Sequence, residues 1–242
     1  MKKLRYLLLQ IRTPQDSMRQ QEVVCFARAI DCDPSAIATF DLLTGAPNDR
    51  QLNQVDALLI GGSGDYSVAG ENPWLERTLE GLRRIIELGK PTFASCWGFQ
   101  AFAHAAGGRC IYDPAHAELG TIELRLTDDG RSDPLFGELP TPFHAQAGHE
   151  DHVVELPPGA LLLASSNMVA NQAFKFADVP IYCTQFHPEL DRKALLERVA
   201  AYPQYVQKIA GTTIDQFAEQ CRDTPETQRL LKRFATMIAE RC

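Results

Sequence analysis

Pro91-Thr92-Phe93-Ala94-Ser95-Cys96-Trp97-Gly98-Phe99-Gln100 holds a strand, a tight turn and the start of a helix within one short stretch. The apolar run 91–94 reaches Cys96 with only Ser95 between, and Gly98 follows two residues later. A helix-like segment, 99–106, then stops at Gly107-Gly108. That order reads as strand, turn, cysteine, helix. The side chain of a residue on such a turn projects from the strand's end, and the following helix points its positive end toward it. Both features favour negative charge on sulfur. A cysteine on this pattern does not by itself specify chemistry, because free cysteines are mostly small buried hydrophobes. The base that would activate it has to come from elsewhere in the chain.

Working outward, residues 4–11 predict a first strand and 17–29 a helix, ended by Asp31-Cys32-Asp33-Pro34. Residues 37–42 give a second strand, Gly45-Ala46-Pro47-Asn48-Asp49 a loop, and 55–60 a third, fully apolar strand. This third strand runs directly into Gly61-Gly62-Ser63-Gly64-Asp65-Tyr66-Ser67. A glycine cluster at a strand's end lets backbone amides approach a ligand, or forms a sharp turn. It is neither a P-loop, lacking Gly-Lys-Ser/Thr, nor a GxGxxG fingerprint. Pro73-Trp74-Leu75 opens a helix to about Leu88, with Gly89 as its stop. Apolar strands alternating with helices predict an α/β three-layer sandwich around a mostly parallel central sheet. Ligands of such folds bind at the strands' carboxyl ends, where the glycine loop and Cys96 both fall.

From about Gly120 the period changes. Residues 121–127, 149–155, 161–164, 173–176 and 181–184 predict short strands, part of them an antiparallel extension of the sheet. Residues 191–202 predict a helix, and 213–241 two extra C-terminal helices parted near Pro225. Ile214, Phe217, Leu230, Leu231, Phe234 and Ile238 supply their apolar faces. The expected organisation is one domain over 1–202 with a helical extension, 203–242, packed on it. Tyr202, Tyr205 and Phe217 are expected to pack helices.

Composition narrows the function classes. A chain of 242 residues with 45% hydrophobic and 23% charged residues suits one sizeable soluble α/β domain. The net charge of -7 gives no reason to expect nucleic acid or anionic membrane as a partner. The start, Met1-Lys2-Lys3 followed by apolar residues, has the look of a secretion signal. It breaks at Gln10 and Arg12 without a small-residue cleavage site, and a buried strand fits better. No run approaches the roughly 20 apolar residues of a membrane span. The seven cysteines are odd in number and widely spaced, with no CxxC pair. A disulfide framework and a zinc site are disfavoured, and a cytoplasmic location is expected. His104, His116, His144, His149 and His152 show no ligand spacing, so neither metal nor cofactor is expected. Cys110 and Cys183 are expected in the core, and Cys242 as a chain-end residue. Asp65 and Tyr66 either shape a pocket mouth or sit in a solvated loop.

A second signal is Tyr182-Cys183-Thr184-Gln185-Phe186-His187-Pro188-Glu189, again at the end of an apolar strand. Pro188 fixes the backbone between imidazole and carboxylate. His187 can then serve as the base for Cys96, and Glu189 can fix its tautomer and stabilise the imidazolium. The alternative is a loop histidine before a helix, with Glu189 near that helix's N-terminus.

These motifs resemble those of the class I glutamine amidotransferases, most closely the amidotransferase domain of GMP synthetase and stand-alone proteins similar to it. The family's Gly-x-Cys-x-Gly-x-Gln matches Ala94 to Gln100, and its Gln-Phe-His-Pro-Glu is complete at Gln185 to Glu189. The resemblance covers roughly residues 4–202. It implies a Cys96, His187, Glu189 triad in which the cysteine attacks a γ-carboxamide, forms a γ-glutamyl thioester and releases ammonia. It further implies oxyanion donors at the backbone amides of Gly62 and Trp97. Gln100 and Gly148-His149-Glu150-Asp151 are implied to cradle the substrate, and Asn171-Gln172-Ala173-Phe174 also fits the subgroup.

The chain departs from the family's pattern at Ala94 for glycine, which crowds the turn, at Ser63 for proline, and at Glu150 for glycine. No synthetase segment follows in this sequence. The expected activity is hydrolysis of glutamine or a related γ-glutamyl amide. A glutaminase subunit feeding ammonia to a separate synthetase, and a noncatalytic regulatory or binding protein on the same scaffold, are the alternatives.

Overall fold

Every residue of β1 (Tyr6–Gln10) is buried, and its side chains divide between two cores. Tyr6 and Leu8 pack on one face of the sheet, Leu7 and Leu9 on the other. A strand apolar on both faces needs helices on both, and the chain supplies them. In this computed structural model, which describes residues 3–70 and 72–241, the remaining elements follow in order. They are α1 (Met18–Ile30), β2 (Ile37–Asp41), α2 (Asp49–Asn53), β3 (Ala57–Ile60), α3 (Pro73–Glu87), β4 (Thr92–Ser95) and α4 (Trp97–Ala105). Then come β5 (Arg109–Tyr112), β6 (Glu118–Leu126), α5 (Asp128–Ser132), β7 (Phe143–His149), β8 (Asp151–Glu155) and β9 (Ala160–Ser165). The chain ends with β10 (Ala173–Phe176), β11 (Ile181–Thr184), α6 (Arg192–Ala201), α7 (Ile214–Gln220) and α8 (Pro225–Ala239). Met1, Lys2 and Cys242 lie outside the described residues.

Among the described residues, one nine-stranded sheet runs β2-β1-β3-β4-β11-β10-β9-β6-β7. Its first five strands are parallel. From β10 onward the pairings are antiparallel. The three-layer α/β sandwich with an antiparallel extension is therefore what the chain forms. The segment 149–155, expected as one strand, is two. His149 closes β7 opposite Glu118 of β6, the chain bends at Glu150, and β8 leaves to pair with β5 in a separate two-stranded sheet. Gly148, two residues before the bend, is itself paired within β7, and buried residues on both sides of the break hide the change of partner. The short α2 falls partly where a loop is expected; its signal is the reciprocal capping of Asn48 and Gln51.

α3 and α4 cover the face of Leu7 and Leu9. α1 and α8 cover the opposite face, so the C-terminal helix belongs to the main core. The Phe234 ring lies 5.6 Å from Phe93 of β4 and 6.3 Å from Tyr182 of β11, edge-on to both. Truncating this fully buried ring removes contacts under the strand that carries Cys96. Phe234→Ala is expected to lower unfolding free energy by about 3–5 kcal/mol, read from the urea midpoint at unchanged m.

Candidate active site

β3, β4 and β11 are parallel neighbours, so their carboxyl ends emerge side by side. From β3 comes the glycine loop, from β4 comes Cys96, and from β11 comes the run through His187 and Glu189. Residues far apart in sequence thus meet at one edge of the sheet, as strand order alone requires.

Cys96 has φ 52° and ψ −103°, and caps the N-terminus of α4. A side chain held in this region costs on the order of 1–3 kcal/mol, so the surroundings must fix it. Its N–H donates to the Thr184 carbonyl at 2.7 Å, and its carbonyl accepts from the Gln100 N–H at 3.1 Å. Space at the turn is tight. A Cβ on Gly98 would lie 2.8 Å from Ile60 Cγ2 and 3.0 Å from the Ala94 Cβ. Ala94 therefore crowds the elbow, and Gly98 accommodates it. Cys96 Sγ sits 3.7 Å from the Gly148 carbonyl oxygen.

Gly62 packs against the side chains of both Cys96 and His187. A Cβ there would come within 2.9 Å of His187 Cε1 and 3.6 Å of Cys96 Sγ. Gly61 is confined as well, because a Cβ would overlap the buried Glu22 carboxylate. Ser63, in place of a stiffening proline, accepts a hydrogen bond from the Tyr66 N–H at 2.9 Å and folds the loop on itself.

His187 is buried, and its backbone N–H donates to the Gln146 carbonyl at 2.8 Å. Its Nδ1 lies 2.6 Å from Glu189 Oε1, which leaves Nε2 as the nitrogen available to the thiol. Burial works against the imidazolium, but the charges of Glu189 and Cys96 and hydrogen bonds to both outweigh it, and the His187 pKa is pushed up to about 9. Glu189 is fully buried. Burial raises its pKa, yet His187 and then Arg198 hold the carboxyl below its ordinary value. Nothing in the sequence marks Arg198 as part of the site. It projects from α6 with Nη1 3.6 Å from Glu189 Oε1, a tertiary contact with no local signature.

These groups border a cavity of about 220 Å³ that also takes in Trp97, Gln100, Gly148, His149, Glu150, Asp151, Asp65 and Tyr66. Several of its polar groups are engaged with the protein. Gln100 Nε2 donates to the Asp151 carbonyl at 2.8 Å and to Gln185 Oε1 at 3.2 Å. His149 meets the Glu118 carboxylate at 3.0 Å through Nε2 and the Asp151 carbonyl at 3.1 Å through Nδ1. Asp151 accepts from the Ser67 hydroxyl at 2.5 Å, and burial, the largest influence, raises its pKa. Glu150, 2.6 Å from Lys208 Nζ, stands at the rim. Tyr202 and Tyr205, expected only as helix packing, also line the cavity. Phe217 does pack, its ring against Gly120. Cys110 and Cys183 are buried core residues. Among the described residues no group of three or more His, Cys, Asp or Glu is placed to hold a metal ion, and no helix is long and apolar enough to cross a membrane.

The profile described as "Glutamine amidotransferase class-I" matches residues 37–198, more than half of the chain. The sequence is 26% identical over 201 residues to gamma-glutamyl peptidase 3 of Arabidopsis thaliana, covering 78% of this chain and 77% of that protein. It is 30% identical over 149 residues to a subunit of the glutamine-hydrolyzing GMP synthase of Thermococcus kodakarensis, covering 60% and 74%. In fold it is similar to a crystal structure of a glutamine amidotransferase from Thermotoga maritima, with a TM-score of 0.73 at 19% identity, covering 100% and 98%. A matched profile spanning both the cysteine turn and the His-Pro-Glu strand end decides the classification: the chain belongs to the class I glutamine amidotransferase family.

Proposed function

We propose that this protein hydrolyses a γ-glutamyl amide through a thioester on Cys96, releasing ammonia or an amine. The observation that carries the reading is the convergence of Cys96, His187 and Gly62 in one cavity, with Glu189 behind the imidazole. In the first half-reaction the thiol proton has passed to His187 Nε2, where Glu189 helps hold it, and the sulfur anion bonds to the γ-carbonyl carbon. The C–N bond then breaks as His187 returns that proton to the leaving nitrogen. In the second, His187 takes a proton from water, the hydroxyl adds to the thioester carbon, and glutamate leaves as the proton returns to sulfur. The oxyanion of each tetrahedral intermediate is received by the backbone N–H groups of Gly62 and Trp97. Gln100 and His149 act by bracing the walls, while Gly148, Glu150 and Asp151 border the space left for the substrate.

The test is release of ammonia or amine from a panel of glutamine, γ-glutamyl amides and γ-glutamyl peptides, comparing native protein with Cys96→Ser. Turnover of at least one, lost in the variant, is expected; no turnover of any, with no selective alkylation of Cys96, overturns the reading. The likeness to a GMP synthase subunit favours a second reading, a glutaminase subunit serving a separate synthetase. Turnover that appears only on adding such a chain selects it.

Gly62→Ala gives a further expectation. The new methyl displaces the imidazole from the sulfur, so kcat falls by about 10²–10⁴-fold, the range for losing a positioned general acid–base, in protein that remains folded by circular dichroism. A kcat within about threefold of native would remove Gly62 from the reacting centre.

A further inference from the structure

The connection between α6 and α7 lies beyond the residues matched by the family profile, yet it forms one wall of the cavity. Three side chains fasten it. The Tyr202 hydroxyl donates to Asp16 Oδ2 at 2.9 Å and accepts from Arg12 Nη1 at 3.3 Å. The Tyr202 ring presses on Gly64, where a Cβ would come within 2.9 Å of it. Next, the Tyr205 hydroxyl donates to the Gly64 carbonyl at 2.6 Å. These two anchors hold the connection to the glycine loop. The third anchor reaches the opposite rim. Lys208, in the π-helical turn Val206–Ala210, places Nζ 2.6 Å from Glu150 Oε1 and donates to the Tyr112 hydroxyl at 3.2 Å. Tyr112 in turn donates to Glu150 Oε1 at 3.4 Å.

The connection is therefore a strap across the cavity, with unequal ends. Arg12 is 2% exposed, whereas half of the Lys208 side chain meets solvent. With its cation half exposed, the Lys208–Glu150 pair is the salt-sensitive end of the strap. The bend at Glu150 exists where β7 and β8 part company, so the glutamate that departs from the family's glycine is the residue the strap grips. At about 220 Å³ the cavity falls short of the roughly 300 Å³ at which pockets begin to take drug-sized ligands. The cavity opens to solvent on one side, and the strap narrows that opening between the glycine loop and Glu150, where a bulky amine would have to lie.

We propose that the strap, held by Lys208 on Glu150, is a specificity determinant that restricts the site to γ-glutamyl amides with small leaving groups. The substrate class rests on the function proposed above; the restriction on access to Cys96 does not. Lys208 acts as a positioning residue, through Glu150 and Tyr112.

The experiment compares native protein, Lys208→Met and Lys208→Arg. Two ratios are read: alkylation of Cys96 by fluorescein maleimide against iodoacetamide, with the Cys96→Ser background subtracted, and kcat/KM for γ-glutamyl-p-nitroanilide against glutamine. In Lys208→Met both ratios are expected to rise about tenfold toward the bulky reagent, with the catalytic change carried mainly by KM. Lys208→Arg should return both near native. Salt should raise the native alkylation ratio and leave that of Lys208→Met unmoved. An alkylation ratio that shifts less than about twofold in folded Lys208→Met, or the same shift in Lys208→Arg, overturns the strap. Should no protein turn over either substrate, the γ-glutamyl reading fails while the alkylation ratio still decides the strap. Should Cys96 react with neither reagent anywhere, the strap proposal fails too.

Discussion

Cys96→Ala lowers kcat by at least about 10⁴-fold on any substrate the native protein turns over, while the fold persists. The size follows from the chemistry proposed for the site. Without sulfur no thioester forms, and the route that divides one hard step into two easier ones is closed. What remains is water attack assisted by the oxyanion donors, which His187 and Glu189 barely enhance because groups that act as a unit lose their effect together. The structural change is small: Sγ has Gly148 and Gly62 as close neighbours, and alanine, which keeps the Cβ, bears the same backbone strain at φ 52° as cysteine does. Stability should therefore be within about 1 kcal/mol of native, measured by urea unfolding. A large loss of stability would mean that Cys96 matters for packing rather than chemistry.

Glu189→Gln is the second large effect, about 10²–10⁴-fold in kcat, and it carries a distinctive pH signature. Burial lowers the His187 pKa, and Glu189 is the largest of the influences that reverse it and bring it to about 9. With the carboxylate replaced by an amide, the alkaline limb of kcat/KM, expected near 9 in native protein, moves to lower pH. Nδ1 also faces an amide that can donate as well as accept, so the tautomer is no longer fixed. Stability moves with the same group. The folded pKa of His187 lies above its ordinary value of 6.5, so its stabilisation is complete below 6.5 and is lost as pH rises through about 9. Glu189 is shifted the other way, and its contribution is lost as pH falls through its depressed folded value. Glu189→Gln should flatten the decline in stability between neutral and alkaline pH, seen as urea midpoints that differ less across that range. An unmoved alkaline limb would detach Glu189 from the imidazole's titration.

Those expectations rest on residues that the sequence places well because their signals are local. Apolar runs ending in Gly61-Gly62, Cys96 and Gln185 mark three parallel strands, and parallel strands in register bring their carboxyl ends together without further information. The walls of the cavity are less legible. Arg198 reaches Glu189 from a helix whose pattern says nothing of direction, and Arg12 reads as a breaker of an apolar run where the structure buries it in a pairing with Asp16. The bend at Glu150 is hidden because Gly148 and Asp151 beside it are both paired in strands, and its cause is a change of strand partner. The strap has neither strand nor α-helical period, and Tyr205 and Lys208 acquire meaning only from Gly64 and Glu150 across the cavity. Local pattern thus places the candidate triad, while tertiary contacts define the space around it.

The covalent intermediate is the central claim, and hydroxylamine partitioning tests it most directly. With glutamine or the best substrate of the panel, added hydroxylamine should divert the γ-glutamyl group from glutamate to γ-glutamyl hydroxamate in proportion to its concentration, and both products should vanish in Cys96→Ala. Turnover with no hydroxamate at any concentration, or hydroxamate formed undiminished by Cys96→Ala, would contradict a γ-glutamyl thioester on Cys96.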